Sequence, residues 1–588
     1  MINLQITSLL EGYRTGRFTV DAVIAQCLER CTAVPETVWI TRLDRQRIQS
    51  FLDALQGQSP DTRPLYGIPF VMKDNIDLAG VPTTAGSPGY SYMPEKTAFV
   101  AEQLIAAGAI PLGKTNLDQF ATGLVGTRSP YGACPNSFNP DYISGGSSSG
   151  SSVAVASGCC SFSLGTDTAG SGRVPAAFNN LVGLKPSRGL LSCSGVVPAC
   201  KSLDCVSVFA LDSADAQAVF NVAAAFDADD CYARTLPQAG PLSARWRFGV
   251  PQAGQLKFFG NAVYQAAFEA SVKLLEKAGG IKVEIDFSPF IEVANLLYSG
   301  PWVNERYAAI GDFIESSPDA VLPTTRRIIL SGLHITAPEV FQAMYDVQTL
   351  KRKTDSILRK VDALVTPTAG TCYTIDEVNS NPVELNTNLG FYTNYMNLLD
   401  YAAVAVPSVM TVPVPFGVTL TSFSGHDHRL LQLAGLLHRT SGLSVGRTDR
   451  KPADPSVEKI PGTVRVAVCG AHLKGYPLHR QLEELGAVFV ESTRTAPEYK
   501  MIAFSSDGIA KPGLIHTPGQ GNGIYVEIYE LEMAAFGRFV HAVPAPLGIG
   551  KTVLADGSTV CGFIAEALVS ELGEDITELG DWRTYARR

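Results

Sequence analysis

Short apolar runs alternate with longer helical ones along this chain, and that alternation limits the fold more than any other feature. LYGIPFVMKDNID (65–77) has a strand-like core, Ile68 to Met72, ending in charged residues. TAFVAEQLIAAGAIPLGKTN (97–116) reads as a helix stopped at Gly108 and followed by a strand from Ala109 to Leu112. SSVAVASGCCSFSLGTD (151–167) repeats helix then strand, and VDALVTPT (361–368) is a further buried strand. Near the start, Thr19 offers an N-cap to Val20, Val23, Ile24, Cys27, Leu28 and Cys31, which recur at helical spacing. Strands and helices that alternate in this way predict an α/β core with a mixed or parallel sheet.

The texture changes near residue 441. SGLSVGRTDRKPADPSVEKIPGT (441–463) is polar, charged and proline-bearing, as an inter-domain linker should be. Beyond it VRVAVCG, GAVFVES, MIAFSS, GIYVEIYEL and FVHAVPA read as short strands separated by glycine and proline. With 588 residues the chain exceeds one ordinary domain. The expected division is a large domain over 1–445, a linker over 446–461 and a small strand-rich domain over 462–588.

Composition excludes several classes of function. A hydrophobic fraction of 46% with 18% charged residues describes a well-buried globular protein. A net charge of −9 argues against nucleic-acid binding, which calls for a basic face. The most apolar stretch, YAAVAVPSVMTVPVPFGV, is broken by prolines, and MINLQITSLLEGYRTGRFTV lacks the pattern of a secretory signal. A soluble protein with no membrane partner is expected. The 12 cysteines are scattered and form no paired CxxC spacing, so neither zinc nor any other metal is expected. Reduced, mostly buried thiols fit a cytoplasmic protein.

Residues 144–152 read SGGSSSGSS, the composition of a flexible linker, yet apolar sequence flanks them closely. Twenty-four positions beyond Ser147, GTDTAGSGR (165–173) runs from a strand into a glycine-rich turn that ends on Ser171. Small residues there let several N–H groups point at one spot, as an oxyanion hole requires. The four histidines before the linker, His334, His426, His428 and His438, lie far downstream, and nothing in the sequence sets up a Ser-His-Asp triad. A serine nucleophile without histidine needs another base, for which a buried lysine is the usual substitute. Lys73 closes an apolar strand, where desolvation lowers its pKa.

Lys73 in GIPFVMKDN, the loop SGGSSSG and the turn TDTAGSGRVPAAFNNLVGLKPS together resemble the amidase signature family across the large domain. The resemblance implies the amidase signature fold, a mixed β-sheet core covered by helices. It also implies a Lys–cis-Ser–Ser triad of Lys73, Ser147 and Ser171, without a cofactor. Ser171 would attack an amide carbon, Ser147 would relay the proton to neutral Lys73, and the amides of Thr168, Ala169, Gly170 and Ser171 would hold the oxyanion. Ser148 would support the loop by hydrogen bonding. One departure is visible: Ser149 stands where the family usually has a glycine, and the Ser147-to-Ser171 spacing survives it.

LLYSGPWVNERYAAIGDF (296–313) is similar to the segment with which allophanate hydrolases read their substrate, and Tyr298 and Arg306 match its contact positions. Eight residues apart on one helix, they would share a face. Allophanate is a urea-like amide bearing a carboxylate, which a guanidinium grips bidentately. VAVCGAHLKGYPLHRQL (466–482), PGQGNGIYVEIYEL and VPAPLGIGKTVLADGSTVCGF resemble the C-terminal domain of that family, with a γ-glutamyl-cyclotransferase-like fold. The paired domains imply hydrolysis to ammonia and N-carboxycarbamate, then decarboxylation aided by the small domain. There His472 is the candidate proton carrier, with Tyr476 and His479 behind it. The resemblance further implies a homodimer and a functional link to a urea carboxylase. The rival readings are a broad amidase, a glutaminase component of an amidotransferase, and a binding module that kept the fold.

Overall fold

The computed structural model of the chain describes residues 2–240, 242, 245–453, 463–506 and 508–588. Contacts divide it into two units, Met1–Pro455 and Ser456–Arg588. The large unit is built on an eleven-stranded sheet. In chain order its strands are β1 (Trp39–Arg42), β2 (Pro69–Lys73), β3 (Ile110–Thr115), β4 (Phe162–Asp167), β5 (Val182–Lys185) and β6 (Cys205–Ala210). There follow β7 (Arg247–Pro251), β8 (Ile281–Ile285), β9 (Ala363–Pro367), β10 (Tyr401–Val409) and β11 (Phe416–Phe423). Across the sheet the order is β1-β3-β2-β4-β6-β5-β10-β11-β9-β7-β8. β2 runs parallel to β3 and β4, and β7 to β8 and β9, while the other pairs are antiparallel, so the sheet is mixed.

β2, β3, β4, β5, β6 and β9 are buried along their whole length. With no solvent side, these strands are apolar over most of their length and do not alternate, their polar residues being buried too. Thr19 caps the helix Val20–Ala33 by accepting from the Ala22 amide at 3.2 Å. Because β2 and β4 are parallel neighbours, with Met72 opposite Leu164, their C-terminal residues Lys73 and Asp167 arrive at the same edge of the sheet. That edge is where open α/β sheets place their ligands.

In the small unit a five-stranded sheet (Thr463–Val468, Val488–Arg494, Tyr525–Glu532, Leu547–Val553, Thr559–Ala565) accompanies a three-stranded one (Tyr499–Ser506, Ile509–His516, Glu574–Asp575). One expected strand is a helix. Phe539 to His541 of FVHAVPA close the helix Met533–His541, in which Ala535 and Phe539 are buried one turn apart. Buried positions four apart fit helical spacing, and Pro544 then stops further helix.

Residues 454–461 of the expected linker lie outside the described residues. The part before them is fastened to the large unit. Gly446 donates to Asn180 O, Arg447 donates to Ala156 O, and the Ala453 amide donates to Asp212. All 12 cysteines are free thiols, and Cys231 is the exposed one. Among the described residues no helix is long and apolar enough to cross a membrane.

Candidate active site

Lys73 is fully buried at the end of β2. Its Nζ donates to Ser147 Oγ at 2.6 Å and to Thr166 Oγ1 at 2.8 Å. Burial lowers its pKa to about 7, against the opposing pull of Asp118, Asp204 and Asp167. Neutral pH therefore leaves a large share of this amine unprotonated, as a general base requires.

The serine-rich stretch is not a linker. Ser144, Ser147, Ser148, Ser149, Ser151 and Ser152 are all buried, and residues 149–152 form the first turn of the helix Ser149–Ala156. Each buried hydroxyl has a partner, which is what keeps so polar a segment inside. Ser144 donates to Cys134 O, Ser149 to Asn116 O, Ser151 to Leu164 O and Ser152 to Ser149 O. Ser148 Oγ donates to Thr166 O at 3.2 Å, tying the loop to the end of β4. Ser149, the departure from the family pattern, thus finds an acceptor of its own. The Gly146–Ser147 peptide bond is cis.

Ser171 sits on the turn between β4 and the helix Val174–Phe178. Asp167 shapes this turn, accepting from the amides of Gly170 at 2.9 Å and Gly172 at 3.0 Å. Arg173 clamps the same carboxylate through Nε at 2.8 Å and Nη2 at 2.9 Å, with both side chains fully buried. Burial alone would raise the Asp167 pKa, but Arg173, Lys185 and the Gly172 amide outweigh it and hold the group below the usual carboxylate range. Gly170 has φ +139°, and a Cβ there would come within 2.4 Å of Thr393 Oγ1, so only glycine fits. Its amide being spent on Asp167, Gly170 has no N–H to offer a substrate in this state. The amides of Thr168, Ala169 and Ser171 have no acceptor among the described residues. Thr168 is steadied by its hydroxyl, which donates to Asp204 Oδ1. Burial keeps the Asp204 carboxyl above the usual range in spite of the hydrogen bonds it accepts.

Facing Ser171 is a strained turn. Ser171 Oγ lies 3.5 Å from Gly123 O, and no hydrogen bond joins it to Ser147. Phe120 and Ala121 both have positive φ (51° and 52°), which costs about 1–3 kcal/mol each. Asp118 accepts from the amides of Val125, Gly126 and Arg128, and its own amide donates to Ser147 O at 3.0 Å. Asp118 therefore joins this turn, through its carboxylate, to the segment that carries Ser147, through its amide.

Arg306 reaches the same turn. It is 3% exposed, and its Nη1 donates to Thr122 Oγ1 at 3.0 Å and to Ala121 O at 3.5 Å. Its guanidinium carbon stands 5.8 Å from the centre of the Tyr298 ring. The two residues do not share a helix, contrary to expectation. Tyr298 belongs to Ser288–Ser299 and Arg306 to Trp302–Ser316, separated by Gly300 and Pro301. They meet because the chain turns between two helices. Ile310 and Ile314 dock the second helix onto Ala85 and Phe120, which holds Arg306 against the site. Sequence reasoning missed Asp118, Thr166, Asp204 and the Asp167–Arg173 pair; of these, only the charged residues inside GTDTAGSGR gave a local signal.

The amidase family model matches residues 22–431. The chain belongs to the amidase family. A second model, for the allophanate hydrolase C-terminal domain, matches residues 464–587 of this amidase. Urea amidolyase of Saccharomyces cerevisiae is 41% identical over 94% of the chain and 31% of its own length. That of Lachancea kluyveri is 40% identical over 98% and 32%. The chain thus spans about a third of these curated relatives. The solved Kluyveromyces lactis allophanate hydrolase has 38% identity and a TM-score of 0.86, covering 100% of this chain and 99% of that one.

In the small unit of this amidase, His472 follows the strand Thr463–Val468. Its ring stacks on Phe563 with centroids 5.1 Å apart, and its Nε2 lies 2.9 Å from Gln481 Oε1. Burial lowers its pKa, and Lys511 adds to the effect while Gln481 opposes it. His479 Nδ1 stands 3.1 Å from His472 O.

Proposed function

We propose that the chain hydrolyses allophanate, with Ser171 as nucleophile, Ser147 as proton relay and Lys73 as base. The observation that carries this reading is the fully buried amine of Lys73, 2.6 Å from Ser147 Oγ, on the sheet edge that also presents Ser171. Ser171 Oγ forms a bond to the terminal amide carbon as its proton passes through Ser147 to neutral Lys73. Amides of Thr168, Ala169 and Ser171 take the developing oxyanion, each worth about 3 kcal/mol of barrier. The proton returns through Ser147 to the departing nitrogen, ammonia leaves, and water hydrolyses the acyl-enzyme to N-carboxycarbamate. Two nitrogens of Arg306 carry no acceptor among the described residues, which suits a carboxylate at the far end of the substrate. The small unit then aids decarboxylation, with His472 carrying the proton. The match to one part of urea amidolyase supports a carboxylated urea as the source of substrate, and a homodimer completes the reading.

Ammonia release measured side by side on allophanate, malonamate, glutamine and a neutral aliphatic amide tests this. Allophanate should be the best substrate, and Ser171→Ala should lower its turnover by at least about a thousandfold. Arg306→Ala should raise KM for allophanate about 10–100-fold while leaving the neutral amide nearly unchanged, the loss expected for a charge-assisted hydrogen bond. Preference for glutamine would favour an amidotransferase glutaminase instead.

A further inference from the structure

The loop VPACKSLD (197–204) touches both ends of the site in the large unit. It runs into β6, whose first residue, Cys205, stands opposite Asp167 at the end of β4. Asp204 therefore leaves the sheet level with Thr168, where the turn carrying Ser171 begins. Its buried carboxylate accepts from Thr168 Oγ1 and, within its own loop, from the amides of Ala199 at 2.8 Å and Cys200 at 3.3 Å. Three donors on one buried carboxylate fix the shape of the loop and tie it to the turn. At its other end the Val197 amide donates to Asn75 O at 2.8 Å, and Asn75 Nδ2 donates back to Val197 O at 3.1 Å. Both ends are thus pinned to the sheet edge that holds Lys73.

The same loop grips the helix that carries Arg306. Ser202 donates twice to the half-buried Glu305, from its amide to Oε1 at 2.7 Å and from its hydroxyl to Oε2 at 2.6 Å. Cys200 Sγ donates to Trp302 O at 3.3 Å. Trp302 and Glu305 belong to the first turn of Trp302–Ser316, just after the Gly300–Pro301 break, where the preceding helix no longer sets the direction of the chain. Ala169 of the catalytic turn shares one apolar cluster with Cys200, Leu203 and Trp302. Burial alone would lower the Arg306 pKa, but Cys200, Tyr298, Asp204 and Glu305 outweigh it, so both carboxylates of this connection face the guanidinium.

We propose that Asp204 and Glu305 are positioning residues that make this loop a strut of fixed length between the oxyanion turn and Arg306. The site then measures the distance from a substrate's carboxylate to its scissile carbonyl. The length it favours, one atom between the two groups, rests on the allophanate reading; the strut itself does not. Malonamate has one carbon at that place. Succinamate has two, and must give up part of its contact with either the guanidinium or the oxyanion amides. Misplacing a reacting group by about 1 Å can cost a hundredfold in rate, so a strut of this kind is enough to discriminate.

The test is kcat/KM on malonamate and succinamate, measured with the full chain. Wild type should prefer malonamate at least about tenfold. Glu305→Ala should lower that ratio at least about fivefold, and Arg306→Ala should erase it. Glu305→Gln, which keeps an acceptor for one Ser202 donor, should fall between wild type and Glu305→Ala. Adding Ser202→Ala to Glu305→Ala should change nothing more, since the two act through one contact. A purely structural loss would slow both amides equally and leave the ratio alone. Should Glu305→Ala melt early, Ser202→Ala decides by the same ratio. An unchanged ratio in folded Glu305→Ala, or a wild type that cleaves the two amides equally or cleaves neither, would overturn the strut. A wild type that prefers succinamate would instead count against the allophanate reading, with the strut still judged by whether Glu305→Ala erodes the preference.

Discussion

A buried lysine held near neutrality is a liability to the fold, and Lys73 makes that cost measurable. Its folded pKa of about 7 lies well below the ~10.4 of an exposed lysine. Between those values the unfolded chain binds a proton that the folded chain does not, so stability rises with pH across that window. At pH 7 the penalty amounts to about 4 kcal/mol. Lys73→Met should abolish hydrolysis yet raise stability at pH 7 by a substantial part of that figure. Its advantage over wild type should shrink as pH climbs toward 10, which denaturation at several pH values would reveal. In wild type, kcat/KM should fall as pH drops through about 7, because Lys73 then gains the proton that disables it. Lys73, Ser147 and Ser171 were legible in the sequence because each stands in a local pattern. Asp204 was not: its carboxylate matters through Thr168, 36 positions away.

At the scale of elements, the turn carrying Ser171 depends on one buried ion pair. Asp167 accepts two amides and both arms of Arg173 within the short segment DTAGSGR (167–173). Asp167→Asn would leave a fully buried guanidinium without a counter-charge, at a cost of about 3–5 kcal/mol. Thermal melting of the variant should show that loss, and kcat should fall with it because the turn's amides lose their anchor. Ser171→Ala, which removes one hydroxyl from the same turn, should leave the melting temperature almost unchanged. The comparison separates a residue that shapes the turn from the one proposed to react on it. The elements that were readable, β2, β3, β4 and β9 among the strands and Val20–Ala33 among the helices, showed themselves by buried apolar runs, a glycine stop at Gly108 and the Thr19 cap. FVHAVPA misled because a β-branched and aromatic run suits either a strand or the end of a helix, and only the burial of Ala535 and Phe539, one turn apart, decides. The break at Gly300–Pro301 had a visible signal, a Gly-Pro pair, that outweighed the eight-residue spacing of Tyr298 and Arg306.

On the scale of the whole molecule, the two units have separate cores and separate sheets. Every group assigned to amide hydrolysis lies before residue 307, within the large unit, whereas His472 lies in the small one. The first bond cleavage should therefore survive removal of the small unit. A chain ended after residue 455 keeps the contacts that fasten 446–453 to Asn180, Ala156 and Asp212, so its last described segment stays anchored. It should release the first ammonia from allophanate with kcat/KM close to that of the full chain. The second ammonia, which must await decarboxylation, should then appear at the slower rate set by N-carboxycarbamate breaking down in solution. Following both ammonia equivalents in one stopped time course would separate the steps. A truncated chain that folds but releases neither would show that hydrolysis draws on the small unit, and one that releases both at the full rate would leave that unit without a chemical role.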